Sequence, residues 1–254
     1  ANITGAAAST YPVTNLASSS RYRVVVTSGA CSADTSNIVT ATVSPSAVGG
    51  TIMGDDTVCA NNNSTVLTLN GSVGTIAKWQ SSLTSNFASA ADVDGSAGLT
   101  SYTASNLTTT TYYRAVITSG VCTAYSSIAK VTVDSVSIGG TVAGSKSVCT
   151  GGNTSTLSLS GYRGTIQWQS SVDNVQFYDI YGATSTTTSA NNLTLTTYFK
   201  AVVTNGVCAA SESNVGIISV DPTSIGGKIT GSTTVCSGNN TTTLTLSGYR
   251  GTIS

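Results

Sequence analysis

A Gly-Gly-x-Ile/Val-x-Gly sequence at Gly49 to Gly54 returns at Gly139 to Gly144 and, in the same spacing, at Gly226 to Gly231, after intervals of 90 and 87 residues. The residues between return in order as well: Thr-Val-Cys ending at Cys59, Leu-Thr-Leu at Leu67, Gly-Thr-Ile at Gly74, Trp79, Asn-Leu-Thr at Asn106, Tyr-Tyr-Arg at Tyr112 and Gly-Val-Cys ending at Cys122. Self-similarity at this period means copied modules, each the size of a small domain. The sequence therefore reads as a C-terminal half module over residues 1–46, complete modules over 47–134 and 135–221, and an N-terminal half module over 222–254. Both ends fall inside modules, and the chain is expected to be a window on a longer array.

Within each module the apolar residues recur with period two. Leu67 and Leu69, Leu157 and Leu159, and Leu244 and Leu246 alternate with Thr or Ser, the pattern of a half-buried antiparallel strand. The strongest strand runs over Tyr112 to Thr118 and its copies at Arg21 to Thr27 and Tyr198 to Thr204. Its core face carries Tyr113, Ala115 and Ile117; Phe199, Ala201 and Val203; or Tyr22, Val24 and Val26. The opposite face repeats a cation as Arg23, Arg114 and Lys200, whose stems are expected to lie over neighbouring strands with the charge in water. Ser28-Gly29, Ser119-Gly120 and Asn205-Gly206 supply hairpin turns. The segment Gly74-Thr75-Ile76-Ala77-Lys78-Trp79 is one residue longer than Gly164-Thr165-Ile166-Gln167-Trp168. An added residue reverses side-chain direction, so a β-bulge near Ala77 is expected to bring Trp79 back to the core. No segment carries a helical period with caps. The fold class is all-β: tandem immunoglobulin-like antiparallel sandwiches of about 88 residues. The junctions Ser44-Pro45-Ser46, Asp134 to Ser137 and Asp221 to Ser224 leave no flexible tether, and a stiff, elongated rod is expected, each module adding roughly 35–40 Å at the strand rise.

Six cysteines, Cys31, Cys59, Cys122, Cys149, Cys208 and Cys236, allow two pairings consistent with the repeat. In one, each module closes its own bond, Cys59 with Cys122 and Cys149 with Cys208. In the other, bonds join Cys31 to Cys59, Cys122 to Cys149 and Cys208 to Cys236. A last strand of about 30 Å carries the chain away from Cys122 before the next module starts, while bonded Cα atoms lie within about 7 Å, and this favours the first. Closing such a loop contributes about 4 kcal/mol on chain-entropy grounds. Buried free thiols are the remaining reading. Regular cysteines in small sandwiches point to an oxidising, extracellular location.

Charged residues make up 8% of the chain with zero net charge, so nothing neutralises phosphates, and nucleic acid is excluded as a partner. No run of about 18 apolar residues offers a membrane span. Histidine is absent, and the Ser and Thr residues have no evident activator, so no enzyme, cofactor or metal is expected. The nearest acidic cluster, Asp92-Val93-Asp94-Gly95, is weighed as a Ca²⁺ site against a solvated turn, and its copy at Asp179 lacks the second acid. Trp79 and Trp168 are weighed as sugar platforms against core packing, with Tyr178 and Tyr181 the better exposed aromatics. Several Asn-x-Ser/Thr sequons, including Asn63, Asn70, Asn106, Asn153 and Asn192, are weak signals in so Thr-rich a chain.

The run from Leu157 to Ser171, followed by Thr197 to Cys208, resembles immunoglobulin-like repeats of giant Bacteroidota surface proteins, among them the gliding-motility adhesins of the SprB type. The resemblance covers the whole chain. It implies type IX secretion, outer-membrane display, a place in the stalk of an adhesin, and contact with neighbouring repeats, surface polysaccharide and the motility machinery. It also implies O-glycosylation at Asp-Ser/Thr followed by a small or aliphatic residue, which makes Thr57 and Ser135 candidates. Lateral self-association of the polar sheet edges is a further expectation. The alternative function is a carbohydrate-binding array of a secreted polysaccharide-processing protein.

Overall fold

The computed structural model describes residues 2–254. They divide into two compact units, one up to residue 133 and one over 134–254, each holding one complete sandwich. Unit 1 begins with four short strands, β1 (Ser20–Tyr22), β2 (Val25–Val26), β3 (Asp34–Thr35) and β4 (Val39–Ala41). Its sandwich comprises β5 (Thr51–Met53), β6 (Asp56–Cys59), β7 (Ser64–Asn70), β8 (Thr75–Ser82), β9 (Ala91–Val93), β10 (Ser101–Ser105), β11 (Thr111–Ser119), β12 (Cys122–Tyr125) and β13 (Ala129–Asp134). One sheet has the order β5-β7-β10; the other runs β6-β13-β11-β8-β9, with β12 also on β11. Unit 2 repeats this plan in β14 (Thr141–Ala143), β15 (Lys146–Cys149), β16 (Thr154–Ser160), β17 (Thr165–Ser171), β18 (Tyr178–Asp179), β19 (Thr187–Asn191), β20 (Thr197–Thr204), β21 (Ser211–Glu212) and β22 (Gly216–Asp221). It ends in β23 (Lys228–Thr230) and β24 (Thr245–Ser247). These are immunoglobulin-like sandwiches.

The glycine motif explains how the first strand divides between the sheets. A Cβ on Gly49 would stand 1.7 Å from the carbonyl oxygen of Tyr125, and one on Gly139 2.0 Å from that of Glu212. The entering chain therefore passes directly beneath the broken last strand. After a short pairing of β5 with β7, Gly54 takes φ +111° beside the Val66 carbonyl. That turn hands the chain to the opposite sheet, where β15, the copy of β6, runs parallel to β22 with Cys149 opposite Asp221. At the break in the last strand, side chains replace the missing ladder partners: Ser126 Oγ accepts from Ala115 N at 2.8 Å and Ser127 Oγ from Ile52 N at 2.8 Å. Ser213 and Asn214 do the same for Ala201 and Val142.

Between the sheets, Leu67, Trp79, Ala115, Ile117 and Val131 are fully buried in unit 1, as are Leu157, Trp168, Ala201, Val203 and Ile218 in unit 2. The added residue in β8 behaves as expected. Val116 faces Lys78 while Ile117 faces Ile76, so Ala77 is bulged out of register and Trp79 reaches the same buried position as Trp168. Trp79, Tyr102 and Tyr113 form a ladder with centroid spacings of 5.8 and 5.5 Å, and burial beside Tyr102 pushes the Tyr113 hydroxyl up to about 12. Thr188 occupies the Tyr102 position in unit 2.

Three expectations are corrected. Val24 and Val26 are 60% exposed, because the strands before Ala47 have no counterpart of β7 or β8 to cover them; Leu244 is exposed at the other end for the equivalent reason. The repeated cation does not simply reach into water. The Arg114 guanidinium lies 4.3 Å from the Phe87 ring centroid and 4.0 Å from that of Tyr125, while Nε donates to Gln80, an arrangement that desolvated stacking favours. Lys200 covers Phe177 at 4.4 Å and pairs with Glu212 at 2.6 Å. Third, the cysteines do not pair within modules, for reasons that emerge at the module ends below.

A Gly139→Ala substitution should destabilise the chain by about 2 kcal/mol through overpacking against backbone, measured by denaturant unfolding, while Gly226→Ala, with no atom near the added methyl, should leave stability unchanged. Ser155 Oγ is buried without a hydrogen-bond partner, whereas its counterpart Thr65 donates to Asp56. Lys146 stands where Asp56 stands in the first module. Ser155→Ala is accordingly expected to raise stability by about 1 kcal/mol, and a loss of stability would refute that reading.

Candidate functional site at the module ends

Polar side chains with structural work to do are concentrated at the two ends of each sandwich. At one end, Asn63 Nδ2 donates to the carbonyls of Cys59 and Leu107, both at 2.7 Å, and its Oδ1 accepts from Leu107 N. Asn153 makes the same three bonds to Cys149 and Leu193. This clamp fixes the cysteine-bearing end of the β6-type strand to the loop before β11 or β20. It also accounts for two sequons: an amide with both hydrogens committed has none to give to a glycan linkage. Asn106 and Asn192 sit at φ +53° and +52° in the same loops, a left-handed conformation that Asn tolerates. Asn70 is an exposed strand residue.

At the other end, the hairpin after β11 or β20 is folded against the chain segment that enters its own module. Asp134 Oδ2 accepts from Val207 N at 3.0 Å, Ser137 Oγ from Asn205 N at 2.9 Å, and the Ser135 carbonyl from Asn205 Nδ2 at 2.7 Å. Gly206, at φ +53°, has no room for a Cβ beside the Asp134 carboxylate, and Gly120 none beside Ser44. The short junction residues are thus built into the module that follows them.

These two ends separate the cysteines that the sequence seemed to pair. Cys149 lies level with Asp221, at the Thr197 end of β20, while Cys208 follows the Thr204 end. Seven strand rises, about 23 Å, lie between those ends. Cys59 and Cys122 are divided in the same way by β11. Cys122 and Cys149 are free thiols, as are Cys31 and Cys236, while Cys59 and Cys208 are disulfide-bonded. Neither Cys59 with Cys122 nor Cys149 with Cys208 is made, nor is the pairing of neighbours along the sequence. The sheet switch at Gly54 and Gly144 carries the first cysteine of each module to the end opposite the hairpin cysteine.

The other candidates resolve locally. Both Asp92 carboxylate oxygens are engaged, one by Lys78 Nζ at 2.6 Å and one by Gln80 Nε2 at 2.9 Å. The Lys78 contact, then Gln80, holds Asp92 below the usual carboxylate range. Asp92 is therefore a strand residue satisfied by donors, which removes the Ca²⁺ reading of that cluster. Asp173 is held at about 2 by the backbone N–H groups of Val175 and Gln176 and the Ser171 hydroxyl, the mark of a tight loop. Trp79 and Trp168 are fully buried, with Nε1 donating to Leu99 O and Ser185 O, so neither is a sugar platform. Tyr178 and Tyr181 are exposed, and Tyr178 borders a shallow depression of about 310 Å³ with Asp173, Gln176 and Thr197. Thr57 and Ser135 are both exposed; the Asp56 carboxylate beside Thr57 accepts from Thr57 N and Thr65 Oγ1. Among the described residues no helix is long and apolar enough to cross a membrane.

Asn153→Ala should cost about 1–2 kcal/mol, because it removes three hydrogen bonds and leaves the part-buried Leu193 N–H without its acceptor, whereas Asn70→Ala should stay within about 0.5 kcal/mol; denaturant titration distinguishes them.

Among solved structures, similar chains include a marsupial T cell receptor (12% identity, TM-score 0.48, covering 72% of this chain and 77% of that one). Others are murine CEACAM1b (10%, 0.40, covering 67% and 100%) and extracellular domains 3–5 of Drosophila OTK (10%, 0.40, covering 79% and 70%). No curated protein sequence matches the chain. A family described as a domain of unknown function, DUF8696, matches residues 1–45, 48–135 and 138–222, and to that family this chain belongs.

Proposed function

We propose that the chain is a structural stalk segment of a secreted, surface-displayed repeat protein, with no catalytic role of its own. The observation that carries this reading is the construction of the junctions. Residues 134–137 are hydrogen-bonded and packed into the module that follows them, so the link between copies is part of a folded domain and not a tether. What the modules repeat is core, clamp and junction; what differs between them is exposed loop, such as Asp94-Gly95 against Tyr181-Gly182. Disulfide-bonded cysteines suit an oxidising, extracellular setting. The resemblance to SprB-type adhesins extends the proposal to type IX export, outer-membrane attachment through other regions, a role in adhesion and gliding, and O-glycosylation at Thr57 and Ser135.

Small-angle scattering of the chain tests the stalk directly. A stiff array should give a radius of gyration of roughly 30 Å at the per-module strand rise. A value near 18 Å, expected for a compact particle of this length, would remove the proposal.

The carbohydrate-binding alternative rests on Tyr178 and Tyr181 alone, since both tryptophans are enclosed. Tyr181 has no aromatic counterpart in the first module, which argues against a repeated sugar site.

A further inference from the structure

The loop after β17 gives unit 2 a feature that the equivalent loop of unit 1 lacks. β17 pairs with β18 so that Ser170 faces Tyr178, as Ser81 of β8 faces Ala91 of β9. Tyr178 therefore stands where unit 1 has Ala91, and Asp173 where it has Thr84. Six residues separate Ser171 from Tyr178, against eight between Ser82 and Ala91. The longer loop of unit 1 buries Phe87 against Arg114. The shorter one leaves Tyr178 at a sheet edge with 67% of its surface exposed.

Polar groups of the loop itself hold it in shape. Ser171 Oγ donates to Asp173 Oδ1 at 2.7 Å and accepts from the N–H groups of Asp173 and Asn174 at 3.2 and 3.0 Å. The same Oδ1 accepts from Val175 N and Gln176 N, each at 2.9 Å. All the bonds to the carboxylate fall on one oxygen, and they keep it ionised. Among the described residues, Asp173 Oδ2, the Gln176 amide and the Ser170 hydroxyl have no hydrogen-bond partner. These three residues, with Tyr178 and Thr197, line the depression of about 310 Å³.

An aromatic ring beside a fixed carboxylate oxygen, an amide and a hydroxyl is a donor and acceptor set that fits a sugar ring. The C–H face of a pyranose stacks on the aromatic, while its hydroxyls donate to the carboxylate and exchange hydrogen bonds with the amide. The volume lies at the small end of ligand sites, enough for one such ring. The ion pairs among the described residues are Lys78–Asp92 and Lys200–Glu212, so no cation offsets Asp173 or the neighbouring Asp179. Their charge repels uronic and sulfated sugars and selects a neutral one.

We propose that this depression is a binding subsite for one neutral sugar ring of a polysaccharide, with Tyr178 as the stacking platform and Asp173 Oδ2 and Gln176 as the hydroxyl partners. The subsite belongs to the second module alone, a variable loop on a constant scaffold. The inference goes beyond the stalk role and does not rest on it. A compact scattering profile would remove the stalk and leave the subsite; absent sugar binding would do the reverse.

NMR titration of the ¹⁵N-labelled full chain with neutral gluco-, manno- and galacto-oligosaccharides, and with oligogalacturonate, tests the subsite. At least one neutral sugar should shift the Val175, Gln176 and Tyr178 signals saturably, with a Kd of about 1 mM, and oligogalacturonate should shift none. Tyr178→Ala should weaken that binding at least about fivefold and Tyr178→Phe should retain it. Gln176→Ala should weaken it about threefold. Tyr181→Ala, whose ring lies outside the depression, should leave it unchanged. Saturation by no neutral sugar, equal binding of oligogalacturonate, or a titration indifferent to both Tyr178→Ala and Gln176→Ala would each overturn the proposal.

Discussion

The close approach of the entering strand to the broken last strand is the constraint on which each sandwich depends. At Gly49 and Gly139 a backbone carbonyl stands where a Cβ would be. Only glycine lets the chain pass there and pair briefly with the three-stranded sheet. A second glycine, Gly54 or Gly144, turns it onto the opposite sheet with positive φ. One edge of each sheet is occupied by half of the split strand, β5 on one and β6 on the other, and the strand that carries the Thr-Val-Cys-type cysteine is delivered to the module's exit. Sheet order, the interrupted last strand and the cysteine positions all follow from a passage too narrow for a methyl group.

The break this passage imposes leaves backbone donors without ladder partners, and short polar side chains fill the places. Ser126 and Ser127 in one module, Ser213 and Asn214 in the other, accept from strand N–H groups. Asn63 and Asn153 complete the other end. In a chain so rich in Ser, Thr and Asn these residues look like solvated surface. A sequence offers no mark that separates a hydroxyl closing a buried ladder from one in water, because the difference lies in which backbone group arrives opposite it. For the same reason, Asn63 and Asn153 read as sequons when their amides are internal clamps.

Where the two modules diverge, the divergence is coupled. The Asp56 to Lys146 change removes the acceptor for the Thr65 position and leaves Ser155 Oγ without a partner. The aromatic ladder of Trp79, Tyr102 and Tyr113 gives way to Thr188 and Phe199 around Trp168. Arg114 is held between Phe87 and Tyr125, while Lys200 takes one ring and an ion pair with Glu212. Each sandwich keeps the tryptophan at its centre and varies the means by which the cation on the outer face of the central strand is neutralised or stacked.

The sequence by itself determined the period, the all-β class, the core face of the strongest strand and the bulge at Ala77, because period-two burial and a one-residue length difference are local properties that any antiparallel packing must honour. It did not determine which cysteines meet. The length of the last strand, set against the reach of a disulfide, favoured partners within a module. Tertiary structure decided otherwise, because the sheet switch places those two thiols about a strand length apart and brings each to a junction acid of the repeat. Pairing is a property of distance in space, and here the distance is set by a turn at glycine that sequence spacing does not reveal.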